Sequence, residues 1–338
     1  MTSYRDAGVD LSAADELIDR IGSGVVATWN DGVVGGFGGF AAGIRIPPGY
    51  HRPLLMLSTD GVGTKADLAR ASASLSGLGW DLLAMVVDDL AAAGATPIAL
   101  QDYVSVGRLN VDRVAVIIDS IAAACTANDV ALLGGETAEH PGLLDPDQFD
   151  IAATALGVVE EGAEVDGSGV VAGDILIGVA SPNLRSNGFS LVRAVIADRL
   201  ALDEIFPGDD RSTAEVLLEP SVVYAPSVVD TVARTTVHGL AHITGGGLPG
   251  NVVRILPEGT RAMIDEGRWD VPNVFRVLQR LGDIADGEML RVFNMGIGFV
   301  IILPEGAADR AIERLESHGH QATVIGRVVP GDRGVEIG

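Results

Sequence analysis

Carboxylates set beside glycines are the residues of this chain best placed to do chemistry. Asp60 follows a short apolar run, 54–58, of strand length and lies in the segment Thr59-Asp60-Gly61-Val62-Gly63-Thr64-Lys65, which reads as a polar, Gly-rich turn. Glycines there let backbone N–H groups approach a phosphate, and a neighbouring carboxylate can hold Mg²⁺. Lys65 could reach the same anion. The competing reading is an Asx turn in which Asp60 caps the next helix. Lys65 is the only lysine in the chain, the remaining basic side chains being arginine, and that favours the functional reading. A second group, Asp81, Asp88 and Asp89, falls inside an apolar helical pattern. A solvated helix face accounts for Asp81. It accounts less well for the adjacent Asp88 and Asp89, which point about 100° apart. A metal facing the helix would offset the desolvation of one of them.

Glu136 and Glu139 flank Gly134-Gly135 after a buried strand, 130–133. They read either as site carboxylates at a strand's C-terminal end or as acids favoured by a helix N-terminus. Residues 35–43, GGFGGFAAG, form a loop rich in N–H groups and poor in bulk, fit to wrap a nucleotide or simply to connect. Thr244-Gly245-Gly246-Gly247 opens a helix and offers N–H groups to an anion, or is a tight turn. Cys125 reads as core, Trp80 and Trp269 as packing anchors, and the histidines make no metal-ligand spacing.

These residues need elements to position them. Three- and four-residue spacing predicts helices over 78–93, 111–127 (with Asn110 near its start), 189–200 and 307–318. Strands are expected over 98–104, 151–159, 175–180 and 292–303, the last with Gly296 and Gly298 as a bulge or close-approach site. The N-terminus reads as an exposed arm followed by a short amphipathic helix. A polar stretch, 160–174, separates two series of strands and helices. The expectation is an α/β (α+β) protein of two domains, 1–168 and 169–338, in keeping with ~150 residues per domain.

Apolar residues make up 47% and charged residues 20%, ordinary for a globular protein. The net charge of −23 argues against nucleic acid or anionic membrane as a partner, since both need a basic surface. A small anionic ligand needs metal ions, backbone N–H groups or local cations to offset that field. No apolar run reaches the ~20 residues of a membrane span. A single cysteine excludes an intrachain disulfide framework, and the expected compartment is the cytosol. The usual phosphate-loop and dinucleotide fingerprints are missing.

Taken together, the motifs closely resemble the phosphoribosylformylglycinamidine cyclo-ligases, also called aminoimidazole ribonucleotide synthetases. The resemblance runs through YRDAGVD (4–10), GGFGGF (35–40), STDGVGTK (58–65), GWDLLAMVVDDLAAAGATP (79–97), LLGGETAEHPG (132–142), SNGFSLVR (186–193), HITGGGLPGN (242–251) and FNMGIG (293–298). It implies an N-terminal mixed-sheet domain that binds ATP and forms a homodimer through its strands, and a C-terminal α/β domain, with ATP and substrate in a cleft. It implies ring closure of formylglycinamidine ribonucleotide, with ADP and phosphate released. Carried over by motif, Asp60, Asp89 and Glu136 would hold Mg²⁺. Gly35, Gly36, Gly38, Gly39, Gly61, Gly63, Thr64, Lys65, Gly134 and Gly135 would surround ATP. Glu136, Thr137, Asn187, Thr244, Gly245, Gly246 and Gly247 would contact substrate. Lys65, Glu136, Arg185 and Asn187 would serve catalysis.

Three positions depart from the family pattern. Arg185 stands where histidine commonly precedes SNG, and arginine can hold an anion but cannot shuttle protons near neutral pH. The segment before GGFGGF lacks its usual lysine, and LLEPSVVYAP carries Ser221 and Pro226. Other enzymes of the same fold superfamily, and a non-catalytic ATP-binding protein, are the alternatives.

Overall fold

A computed structural model of the chain describes residues 8–338. The arm and the first residues of YRDAGVD lie outside them. Two compact units are present: the residues up to Leu90 with Pro97–Glu161, and Ala91–Thr96 with Gly162–Gly338.

In the first unit the elements are α1 (Leu11–Ala27), β1 (Val33–Val34), β2 (Gly43–Ile44), β3 (Pro53–Gly61), α2 (Lys65–Ala71), α3 (Leu78–Ala92), β4 (Thr96–Val106), α4 (Val111–Ala127), β5 (Ala131–Glu139) and β6 (Phe149–Glu160). Two helices start where a short polar side chain satisfies free N–H groups. Asp10 accepts from the amides of Ser12 and Ala13, and Asn110 from that of Arg113. Four strands form a mixed sheet in the order β3-β6-β4-β5, with β3 antiparallel to β6 and β4 parallel to β5. The period of two sorts each strand. Along β4, Asp102, Val104 and Val106 are buried while Gln101 and Tyr103 are exposed. On edge strand β3, Leu55 and Leu57 face solvent, Leu57 with 70% of its surface accessible.

In the second unit the elements are β7 (Ile175–Ala180), α5 (Phe189–Ile196), α6 (Thr213–Leu217), α7 (Ala225–Arg234), β8 (Gly239–His242), α8 (Gly247–Val252), β9 (Thr260–Ile264), α9 (Asn273–Gly282), α10 (Asp286–Val292), β10 (Ile297–Leu303), α11 (Ala308–Ser317), β11 (Ala322–Pro330) and β12 (Gly334–Ile337). Six strands lie in the order β12-β9-β11-β7-β10-β8, antiparallel except for the β12–β9 pair. Strand β10 is buried along its whole length, which is why it reads as a continuous apolar run. Leu176 of β7, Ala241 of β8, and Ile325 and Val328 of β11 join it in a core closed by Leu248 and Val252 of α8.

Two elements run further than their composition suggests. The polar residues Thr59, Asp60 and Gly61 continue β3 by pairing with Thr154, Ala153 and Ala152. Residues 134–139 continue β5 by pairing with residues 101–106 of β4. The expected turns at Asp60 and at Gly134-Gly135 are therefore strand, because ladder hydrogen bonds outweigh weak local preference. The strand expected from 292 begins at Ile297, since α10 occupies residues 286–292.

Candidate active site

The end of β3 carries the first set of acidic groups. Ser58 and Asp60 share one face of the strand by its period of two. The Ser58 hydroxyl donates to Asp89 Oδ2 of α3 at 3.2 Å, which ties Asp89 to this face. Asp60 Oδ1 accepts from the Gly61 amide at 2.7 Å, and both aspartates are exposed. The Asx-cap reading fails here, because Thr64 occupies the N-cap position of α2 and no side chain caps it. Two exposed carboxylates and a hydroxyl on this face are hard oxygen donors of the kind Mg²⁺ takes.

Lys65 is fully buried and its ammonium lies 2.8 Å from the carboxylate of Asp81, itself fully buried. This corrects one expectation: Asp81 is an interior group, not part of a solvated face. The Lys65 charge is engaged by Asp81. The pair fastens the first turn of α2 to α3. Asp88 is also buried, and only Asp89 of the three helix aspartates is exposed.

A second set of groups lines a cavity of about 340 Å³ within the first unit, walled by α1, the loop after β1, and β4 and β5. Gly36, Gly38 and Gly39 line it, and the Gly39 amide donates to the Gly36 carbonyl. On the opposite wall are Gly134, Gly135, Glu136 and Thr137 of β5, with Glu136 exposed. Glu139, which shared a turn with Glu136 in the sequence reading, is structural. It accepts from the amides of Asp10 and Leu109.

Asp102 also lines this cavity, and sequence reading passed over it. It occupies the buried row of β4, where Val104 and Val106 follow it. A β-bulge between Leu100 and Gln101 brings Gly135 opposite Asp102. A Cβ on Gly135 would lie 1.7 Å from Asp102 Oδ1, so only glycine leaves room for the carboxyl. Burial alone raises Asp102 from the ordinary carboxylate range to about 7. Burial, with the Asp102 charge nearby, also pushes the Cys125 thiol up. The alternation of β4 was the signal that could have found Asp102.

The three proposed metal carboxylates are not gathered on one ion. β3 and β5 are opposite edges of the sheet, about 14 Å apart at a spacing of ~4.8 Å per strand. Among the described residues no group of three His, Cys, Asp or Glu side chains is placed to hold a metal. Asp60 and Asp89 remain together, and Glu136 belongs to the cavity.

In the second unit, Asn187 Oδ1 accepts from the Gly245 amide at 3.0 Å, joining two of the expected substrate segments. Asn251, which sequence reading did not single out, holds the same loop by donating to the carbonyls of Thr244, Gly245 and Gly247. Arg185 is buried, with its guanidinium 4.9 Å from the centre of the Tyr224 ring, and it donates to the Gly298 carbonyl at 3.4 Å. Tyr224 in turn donates to the Ala180 carbonyl, and a Cβ at Gly298 would lie 2.2 Å from its hydroxyl. The close approach expected at Gly298 is thus the seat of Tyr224, and the Arg185 guanidinium packs on that ring.

Comparison with known proteins places this geometry in a family. Residues 39–159 match the AIR synthase related protein N-terminal domain and residues 171–338 the corresponding C-terminal domain. The chain is 43% identical to the phosphoribosylformylglycinamidine cyclo-ligase of Carboxydothermus hydrogenoformans, covering 99% of this chain and 98% of the relative. The enzyme of that name from Myxococcus xanthus is also 43% identical, over 98% of this chain and 96% of its own. Among solved structures, thiamine-monophosphate kinase from Stenotrophomonas maltophilia superposes with a TM-score of 0.70 at 21% identity, covering 95% of each chain. Hydrogenase maturation protein HypE in complex with ATP superposes with a TM-score of 0.68 at 19% identity, over 98% of this chain and 92% of that one. At such identities the structural matches establish a shared fold. The end-to-end likeness to the two cyclo-ligases establishes more: this chain belongs to the AIR synthase family, among the phosphoribosylformylglycinamidine cyclo-ligases.

Proposed function

We propose that this enzyme closes the imidazole ring of aminoimidazole ribonucleotide from formylglycinamidine ribonucleotide, with ATP converted to ADP and phosphate. The observation that carries this reading is 43% identity to two cyclo-ligases over nearly the whole of each chain, with both family domains in order. In the reaction, the γ-phosphoryl group passes to the formyl oxygen, a ring-forming nitrogen attacks the activated carbon, and phosphate leaves. Such chemistry rests on positioning and charge neutralisation. That fits a chain whose candidate sites are carboxylates and backbone amides.

Asp60 and Asp89 are the residues that would hold Mg²⁺; both are exposed and their face is shared with Ser58. Bound there, the ion would neutralise phosphate charge. The glycine loop and the β5 segment 134–137 surround the nucleotide in the domain 1–168. Asn187 and the loop 244–247 in the domain 169–338 hold the substrate. Lys65, paired with Asp81, fixes the first turn of α2 next to residues 62–64. The reading includes a cytoplasmic location and a homodimer formed through the first unit, whose edge strand β3 leaves Leu55 and Leu57 open. No helix among the described residues is long and apolar enough to cross a membrane.

The test is direct. Purified protein with formylglycinamidine ribonucleotide, ATP and Mg²⁺ should yield the aminoimidazole product, and a folded sample with no turnover at any salt concentration would refute the reading. Asp60→Asn should abolish Mg²⁺-dependent turnover with an unchanged circular dichroism spectrum. Near wild-type kinetics would remove Asp60 from the metal site.

A further inference from the structure

The carboxyl of Asp102 is the one buried acid of the cavity whose position no part of the fold explains. Its residue is 8% exposed, and among the described residues it has no hydrogen-bond or ion-pair partner. Leaving a buried carboxyl unmatched costs free energy that a valine, as at the next inward position, would not. The facing strand β5 is nevertheless bulged at Leu133, and its Gly135 carries no side chain where Asp102 needs the room. Its open side is the cavity. The other walls are apolar: Leu17, Ile21 and Val25 of α1, Phe37 of the glycine loop, Ile118 of α4 and Leu132 of β5. Apolar walls with a few polar groups at one end suit a flat heterocycle that is wet along one edge.

We propose that Asp102 is a specificity-determining residue that pairs with the 6-amino edge of the adenine base of ATP in this cavity. The proposal rests on the reading of the chain as an ATP-dependent enzyme and adds where the base sits and what reads it. A carboxylic acid presents one O–H donor and one carbonyl acceptor side by side. Adenine offers the converse, a ring-nitrogen acceptor beside an amino donor, so the two close a pair of hydrogen bonds. An ionised carboxylate has only acceptors and would oppose the ring nitrogen. Burial keeps the proton on Asp102 up to about pH 7. Of the titratable side chains on the surrounding elements, Glu136 on β5 lines the cavity, and Cys125 on α4, pushed up and neutral, is near enough to feel the Asp102 charge; the charged side chains of α1 (Asp15, Glu16, Asp19, Arg20) and α4 (Asp112, Arg113, Asp119) do not line it. The α1 side chains named above and Phe37 bring no charge to the cavity.

The experiment measures equilibrium binding of ATP and of purine riboside triphosphate, which lacks the 6-amino group, to the full-length protein at pH 6 and pH 8. Wild type should bind ATP about tenfold more tightly than the analogue at pH 6, the value of one hydrogen bond lost with a buried carbonyl acceptor left unmatched. Asp102→Ala should bring the two within about twofold. Asp102→Asn also offers a donor beside an acceptor; it should keep the preference and hold it at pH 8, where wild type loses part of its ATP affinity. Should Asp102→Ala not fold, the pH comparison between wild type and Asp102→Asn decides alone. An unchanged preference in Asp102→Ala, or a wild type indifferent to the amino group, or identical pH profiles for wild type and Asp102→Asn, would overturn the proposal. Formation of the aminoimidazole product is measured separately. Turnover without an Asp102-dependent preference defeats this inference alone, and an Asp102-dependent preference without turnover defeats only the cyclo-ligase reading.

Discussion

At the scale of single residues, buried ionisable groups bear on the stability of the first unit. The Lys65–Asp81 pair is out of contact with water, so removing one partner takes the opposite charge away from a buried group. Lys65→Met should destabilise the protein by roughly 3–5 kcal/mol, and the double change Lys65→Met with Asp81→Leu by less than that, both measured by urea denaturation. A double variant no better than the single one would mean that the pair is not the main restraint on α2. Asp102 makes stability depend on pH in the opposite sense from a paired carboxylate. Its folded value is raised to about 7, so between the ordinary carboxylate range and neutrality the native state binds more protons than the unfolded one. Its contribution is fully present below pH ~4 and is lost as pH rises through about 7, a loss of a few kcal/mol. Asp102→Asn should therefore raise the melting temperature relative to wild type at pH 8 and leave it nearly unchanged at pH 4, as scanning calorimetry can check.

At the scale of elements, β10 meets Tyr224, the residue just before α7, through one missing side chain. Gly298 lies at a register shift of the β10–β7 pair, and the Tyr224 hydroxyl fills the space a Cβ would take. Gly298→Ala should displace Tyr224 and the Arg185 guanidinium stacked on it, costing about 1–3 kcal/mol in thermal unfolding. An unaltered melting temperature would show that the ring moves freely. The same scale explains which elements could be read from sequence. Helix α4 was legible from residue 111 to 127 because Asn110 caps it and its apolar spacing does not break. The continuations of β3 and β5 were not, because glycine and polar residues mark turns locally, while their strand state comes from partners about 90 and 30 residues away along the chain.

At the scale of the whole molecule, charge and the open face of β3 act against each other. Leu55 and Leu57 invite a partner, while each copy carries a net charge of −23. Association should therefore strengthen as salt screens that repulsion. Leu57→Arg should shift a homodimer to monomer in sedimentation equilibrium without unfolding it. A wild-type protein that stays monomeric at high salt would remove the dimer from the proposed function.

Sequence alone determined the class of the fold, the division into two series of strands and helices, and the family, because periodicity, punctuation and motif order are written along the chain. It also marked the carboxylates Asp60, Asp89 and Glu136 and the glycine segments. Tertiary structure decided what those groups can do together. It separated Glu136 from Asp60 by the width of a sheet, turned Lys65 and Arg185 inward, and placed Asp102 on a cavity wall. None of this is local. Whether a charge faces a ligand or a buried partner depends on which distant element packs against it, and spacing along one chain carries no record of that.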